Sequence, residues 1–202
     1  MKKLLLLLPA FLLFSFSMKD SGLSKKEKKF AINYLAQTRD DLQKTVSGLS
    51  EDQFNFKPAP EKWSVKECLQ HIAITEDGLW KWCDGVIKAA PNPGKRTEIK
   101  STDDQIINMI SDRSAKVKTT PEMQPDKSTY TTALDALSAF NKSREKLIKY
   151  VKTTKDDLRN HVTEAPFGSV DAYQLILFIS GHTNRHTQQI AEVMADPNFP
   201  KT

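Results

Sequence analysis

The amino-acid sequence predicts an all-α protein built as a bundle of four long helices. The predicted helices begin at Ser or Thr, carry apolar residues every three or four positions, and mostly end at Gly or Pro. No segment alternates between apolar and polar residues as a half-buried strand does. The chain has 202 residues, 39% of them hydrophobic, which suits one domain with a real core. Long helices joined by short or moderate loops are typical of a bundle.

The first three helix starts are capping boxes, in which a Ser hydroxyl and a Glu or Gln side chain three residues later cap each other's backbone amides. Ser24 opens a helix to about residue 46, and Gly48 ends it. Ser50 opens a short helical turn that must end before Pro58. Ser64 opens a long helix to about residue 90. These patterns place two of the four long helices.

The second half of the chain has three further predicted helices. Thr102 caps one over residues 103–119, and Thr132 caps one over residues 133–153. Ser169 opens the last, over residues 170–194. Residues 175–179 have some strand character, but they lie inside this helical pattern and are assigned to it. The last helix is apolar almost all round, at Ile176 and Leu177 too, so it lies in the centre of the bundle or packs against a second copy in a homodimer.

The N-terminus has the three-part pattern of a secretory signal peptide. Lys2 and Lys3 precede an apolar run over residues 4–14, and Ser15 and Ser17 are the small residues of a cleavage site. The run is shorter than the roughly 20 residues that span a bilayer, although an uncleaved anchor is the alternative. The sequence therefore predicts a signal peptide over residues 1–17 and a periplasmic or secreted protein, with the membrane involved only through that peptide.

The charge pattern gives no support to nucleic-acid binding. The formal net charge of +5 falls to about +3 once Lys2 and Lys3 are removed. The remaining basic residues alternate with acids, as at Arg144-Glu145-Lys146, and are interpreted as solvated helix faces. Glu76 and Asp77 are interpreted in the same way, with an acid/base helper beside His71 as the alternative. No nucleic-acid partner is expected.

Two histidines on the last predicted helix carry the chemical signal. His182 and His186 are four residues apart, so they stack on one helix face. At about 100° per residue both lie in the middle of the apolar stripe, with Gln189 beside them. Polar groups on a core-facing stripe cost roughly 1–3 kcal/mol each unless they are paired. A bound metal ion would compensate this cost for all three side chains.

His71 is the third member of the predicted site. It lies at the core edge of the helix that starts at Ser64, from which it can approach the other two. Three neutral imidazoles with an open position describe a catalytic type of divalent-metal site. The alternative is three hydrogen-bonded core histidines without a metal. His161 lies in a polar loop and is expected to be exposed, and Trp63 is expected to act as a hydrophobic staple or lid, or to shape a substrate entrance.

Several stretches of the chain resemble the DinB-like (YfiT-like) superfamily. They are Leu49-Ser-Glu-Asp-Gln53, Lys57-Pro-Ala-Pro-Glu61-Lys-Trp63-Ser64-Val, Leu69-Gln-His71-Ile and His182-Thr-Asn-Arg-His186-Thr-Gln-Gln189-Ile190. The resemblance implies a four-helix bundle with up-down-down-up connectivity. It also implies one divalent ion, nickel, zinc or iron, held by His71, His182 and His186. The predicted bundle domain covers residues 30–196, after a lead-in over residues 18–29 and before a tail over residues 197–202.

The resemblance implies more than one activity. Relatives include thiol-S-transferases, maleylpyruvate isomerase-like enzymes and proteins described only as metal-dependent hydrolases. Export weakens the thiol alternative, because a cytoplasmic thiol cofactor is not expected outside the membrane. The sequence shows no nucleophile elbow and no carboxylate pair to act as a base. A metal- or small-ligand-binding protein without turnover is therefore the second hypothesis, and in either case the small-molecule partner is unidentified.

Overall fold

The computed structural model describes residues 22–114 and 117–201 and is mostly helical. Its α-helices are α1 (Lys25–Val46), α2 (Glu51–Asn55), α3 (Val65–Lys88), α4 (Asp103–Ser111), α5 (Ala133–Thr153) and α6 (Ala172–Met194). The predicted signal peptide lies outside the described residues. Among the residues described, no helix combines the length and apolar character needed to cross a membrane.

The four long helices, α1, α3, α5 and α6, run up, down, down and up. Three contacts at one end of the bundle establish these directions. Tyr173, at the start of α6, donates a hydrogen bond to the carbonyl of Glu27 near the start of α1. Lys28 of α1 donates to the carbonyl of Thr154 at the end of α5. Cys83, late in α3, donates to the carbonyl of Ala172. The predicted fold class and connectivity are therefore confirmed.

The first four predicted helix starts are confirmed, but the predicted end of α4 is wrong. Ser24, Ser50, Ser64 and Thr102 all form reciprocal capping boxes. The helix predicted over residues 103–119 ends at Ser111. There the carboxylate of Asp112 accepts hydrogen bonds from the backbone amide and the hydroxyl of Ser114. This local turn offers the backbone an alternative to another helical turn.

A two-stranded hairpin precedes α6, and the prediction of an all-helical chain missed it. Strands β1 (Val162–Ala165) and β2 (Gly168–Asp171) are antiparallel, with Val162 opposite Asp171. Gly168, which follows the turn, has a φ of +112° that favours glycine. The cap of α6 is consequently Asp171 rather than Ser169.

The loop before the hairpin corrects the prediction for His161. The side chain is buried rather than exposed, and its Nδ1 lies 3.1 Å from the carbonyl oxygen of Val86. A carbonyl only accepts, so Nδ1 donates in this bond. His161 is therefore a buried histidine whose ring contacts Val86 rather than the predicted metal site.

Helix α6 lies at the centre of the bundle. It packs against α1, α3 and α4, and Ile176 and Leu177 are fully buried within the chain. The apolar circumference of this helix is thus explained by its central place. These contacts within one chain do not require a second copy, so the homodimer stays a prediction.

Gly181 lets α4 pack closely against α6, one residue before His182. A Cβ at Gly181 would lie 2.3 Å from Cγ2 of Ile110, a branched side chain with little freedom to move. We expect Gly181→Ala to lower the free energy of unfolding by about 1–3 kcal/mol through overpacking. Chemical denaturation measures this change.

The matched control is Gly85→Ala in α3, where a Cβ would meet nothing within 4 Å. That substitution should stabilise the protein by about 0.5–1 kcal/mol, since Ala is the better helix former. Equal effects at both positions would contradict the close packing of α4 on α6.

Candidate metal centre

The structure brings together all three histidines that the sequence predicted. His71 projects from the first half of α3, and His182 and His186 project from the middle of the antiparallel α6. The Nε2 atom of His71 lies 3.3 Å from Nε2 of His182 and 3.1 Å from Nε2 of His186. The ligand atoms of the three residues all lie within 4.8 Å of one another.

The cluster is removed from water, and its imidazoles favour the neutral form. His71 is 2% and His186 is 8% exposed, while His182 is half-buried. Burial lowers the pKa of His71 to about 4. Burial and the neighbouring imidazoles lower the pKa of His182 and of His186 well below the ordinary value. Neutral imidazole is the form that binds a metal.

The other ring nitrogen of His71 fixes its tautomer. Nδ1 lies 2.7 Å from the carbonyl oxygen of Met123, in the 3-10 turn Pro121–Met123. Because the carbonyl can only accept, Nδ1 carries the proton and Nε2 presents a lone pair.

The same reasoning fixes the tautomer of His182. Its Nδ1 lies 3.4 Å from Oγ1 of Thr75. That hydroxyl donates its own proton to the carbonyl of His71 at 2.6 Å, so it faces His182 with a lone pair. Nδ1 of His182 is therefore the protonated nitrogen, and Nε2 again presents a lone pair.

His186 is held by Gln189, one turn further along α6. Its Nδ1 lies 2.8 Å from Oε1 of Gln189. The amide oxygen accepts the proton of Nδ1, which leaves a lone pair on Nε2. The expectation that one ion compensates Gln189 together with the two histidines is thus wrong. Gln189 contacts the far side of the His186 ring and supports it from there.

Three lone pairs therefore point at one small volume, an arrangement suited to a cation. Two nitrogens about 2.1 Å from one ion at a tetrahedral angle lie about 3.4 Å apart, close to the separations in the cluster. The tautomers leave no proton between the Nε2 atoms to join them by hydrogen bonds. Neutral imidazoles suit zinc, nickel and iron among the divalent ions. The residues present fit a three-histidine metal site.

Trp63 covers one side of the cluster. Its ring centroid lies 4.9 Å from that of His71 and 6.0 Å from that of His186. The residue precedes Ser64, the N-cap of α3. Its role as a staple, a lid or part of a substrate entrance stays a prediction. The indole supplies an apolar wall beside the imidazoles.

A buried ion pair lies next to the cluster, and the sequence interpretation missed it. Arg144 is 0% and Glu76 is 2% exposed, whereas both were predicted to be solvated. The two groups form a bidentate pair, with N–O distances of 2.6 and 2.8 Å. The remaining N–H groups of the guanidinium donate to the carbonyl of Leu35 and to the hydroxyls of Thr38 and Thr183. All five donors of Arg144 are satisfied, so the charge is tolerated in the core.

The position of these partners connects the ion pair to the histidines. Thr183 follows His182 on α6, and Glu76 follows Thr75 on α3. The pair therefore holds both helices at the residues that flank the metal centre. The burial of Arg144 could have been predicted from helical spacing, because Arg144 falls in the apolar stripe between Phe140 and Leu147 of α5.

Fold and site together define an all-α bundle with a candidate three-histidine metal centre between antiparallel helices. The chain belongs to the DinB superfamily, whose family model matches residues 34–190. The matched region contains His71, His182, His186 and Gln189.

Two proteins of Bacillus subtilis are similar to this chain. The uncharacterized protein YuaE of strain 168 is 26% identical over 149 residues, which are 73% of this chain and 87% of YuaE. The structure is similar to that of YfiT, described as a probable metal-dependent hydrolase with an unusual four-helix bundle topology. The TM-score is 0.58 at 12% identity, and the match covers 86% of this chain and 89% of YfiT. At that identity the likeness shows the fold.

Proposed function

We propose that the protein is an exported metal-dependent enzyme, in the first place a hydrolase, that holds one divalent ion through His71, His182 and His186. The observation that carries the proposal is the convergence of three Nε2 lone pairs, with each Nδ1 proton directed to a separate acceptor. The description of YfiT as a probable metal-dependent hydrolase supports the reaction class. The predicted signal peptide supports export.

A divalent ion with three protein ligands and open positions supplies Lewis-acid chemistry, by polarising a substrate oxygen or lowering the pKa of water. The chain's own residues would then bind, orient and shield. The Nδ1 proton of each imidazole is directed to an acceptor that orients the ring, and these acceptors belong to Met123, Thr75 and Gln189. Trp63 shields His71 and His186 and offers a flat apolar surface to one side of a substrate.

A non-catalytic metal- or ligand-binding protein is the second candidate, because the carboxylates near the site are already engaged. Glu76 is paired with Arg144, Glu192 with Arg113 and Asp77 with Lys81. Among the described residues close in sequence to the three histidines, none is a carboxylate without a cationic partner. A hydrolase built on this site would rely on the ion and on the substrate for proton transfer.

Activity measurements separate these two candidates. Untagged protein loaded separately with zinc, nickel or iron is incubated with panels of esters and amides, and with a thiol plus an electrophile. The hydrolase proposal expects turnover of an ester or amide above that of the free ion, and loss of that turnover in His186→Ala. Turnover with the thiol panel alone would replace hydrolysis by thiol transfer. Metal binding without turnover in any panel would favour the binding protein.

Export is tested separately from chemistry. The full-length chain is expressed in a bacterium, and the mature N-terminus is sequenced in the envelope and medium fractions. The proposal expects a mature chain that begins close to Met18. An intact N-terminus on protein retained in the cytoplasm would contradict it.

A further inference from the structure

The hydrogen-bond chain behind His186 continues beyond Gln189 to Arg113, which lies in the segment after α4. Nη1 of Arg113 lies 3.5 Å from Oε1 of Gln189, the atom that also accepts from Nδ1 of His186. An amide side chain can turn over and exchange its oxygen for its NH₂ group. Turned over, the amide would face both the guanidinium and Nδ1 of His186 with its NH₂ group, which only donates. The charge of Arg113 therefore favours the orientation in which the oxygen points to both.

Arg113 is itself fixed in place. Nε and Nη2 donate to the two carboxylate oxygens of Glu192 at 2.6 Å each. This bidentate contact holds the pKa of Glu192 below its usual range. A guanidinium fork locked on a carboxylate has a defined orientation, unlike an ordinary surface side chain.

Two other side chains of α6 hold the backbone that leads to Arg113. Gln188 donates to the carbonyl of Ser111 at 3.1 Å, and Arg185 donates to the carbonyl of Asp112. Both carbonyls belong to the end of α4. The segment thus reaches the metal-bearing helix through several independent contacts, and Arg113 is its link to His186.

We propose that Arg113 is a positioning residue, which orients the Gln189 amide and thereby keeps His186 in the tautomer that presents Nε2 to the metal ion. The inference deepens the proposed function and rests on it for the role of the ion. The tautomer itself is a property of the protein chain. It can be measured with or without metal.

The test combines tautomer and affinity. Nitrogen-15 NMR of histidine-labelled protein reports which ring nitrogen of His186 is protonated, and chelator competition reports the affinity for zinc. In Arg113→Met we expect a mixed tautomer at His186 and a zinc affinity about 10-fold to 100-fold weaker, the range for loss of an outer partner. Arg113→Lys, which keeps a cation near the amide oxygen, should recover most of the affinity.

Repeating Arg113→Met in a second parent protein shows whether Arg113 orients the Gln189 amide or only packs beside it. In Gln189→Glu the acceptor is a carboxylate, which accepts from Nδ1 of His186 whichever way it turns. Adding Arg113→Met to Gln189→Glu should therefore weaken zinc binding much less than Arg113→Met alone. The control is Arg39→Met, which removes a comparably exposed arginine that pairs with Asp40.

The outcomes separate this inference from the proposed function. If Arg113→Met keeps the wild-type tautomer and affinity, or weakens zinc binding equally in both backgrounds, the positioning role is wrong while the metal site stands. If the wild type binds none of zinc, nickel and iron, but the His186 tautomer differs between the wild type and Arg113→Met, the orientation of His186 by Arg113 is supported and the metal-dependent function is overturned.

Discussion

We expect His71→Ala to abolish stoichiometric metal binding. Wild-type protein, purified without a histidine tag, should contain about one divalent ion per chain. Removing one of three ligands should weaken the affinity by more than the roughly 100-fold that the loss of an outer partner costs. Elemental analysis after dialysis, followed by chelator competition with added zinc, measures both quantities.

Thermal unfolding gives the same prediction a second readout. An ion that binds only the folded chain adds about 4 kcal/mol of stability when its concentration is 1,000 times the Kd. Chelator should therefore lower the Tm of the wild type and leave that of His71→Ala unchanged.

The matched control is His161→Ala. His161 has the same exposed fraction as His186, 8%, but its ring contacts the carbonyl of Val86 rather than the cluster. This variant should keep its ion and its response to chelator. Metal retained in His71→Ala, or lost equally in His161→Ala, would show that the site is assigned to the wrong residues.

We expect Arg144→Met to cause the largest loss of stability among the substitutions considered. The change leaves the Glu76 carboxylate buried without its cation and removes the N–H groups that Arg144 donates to the hydroxyls of Thr38 and Thr183. Breaking a buried pair by removing one partner costs about 3–5 kcal/mol. Denaturant unfolding of the wild type and of Arg144→Met, both in excess metal, measures the difference in the free energy of unfolding.

Two further variants show whether the unpaired charge is the cause. Arg144→Met combined with Glu76→Leu should unfold at higher denaturant than Arg144→Met alone, since no charge is then left unpaired in the core. Arg39→Met, which breaks an exposed pair, should cost no more than about 1 kcal/mol. A small effect of Arg144→Met, similar to that of Arg39→Met, would contradict the assignment of a buried ion pair.

Patterns local to the chain were enough to predict most of this fold. Helix starts at Ser24, Ser50, Ser64 and Thr102 depend on side chains that reach only three residues away. Helical spacing placed His182 and His186 on one buried face, because residues four apart in a helix are neighbours. The family resemblance added the connectivity, which local patterns cannot specify.

Two of the features that were missed depend on contacts between distant parts of the chain. Arg144 and Glu76 are 68 residues apart, and each is an ordinary solvated charge until its partner is placed opposite it. His161 is buried, and its ring donates to the carbonyl of Val86, 75 residues away. The hairpin at Val162–Asp171 is short, so its alternation is weak beside the long helical pattern that follows. Gln189 was placed on the correct face, but the spacing did not show that its amide faces the His186 ring, three residues away on the same helix, rather than the ion.

The most direct test of the metal centre is a crystal structure of the untagged, metal-loaded protein with anomalous scattering data collected at the absorption edge of the ion. We expect one anomalous peak that lies about 2.0–2.2 Å from Nε2 of His71, His182 and His186, with each Nδ1 directed away from it. A peak bound elsewhere, or three rings that turn their Nε2 atoms away from a common point in protein saturated with metal, would contradict it.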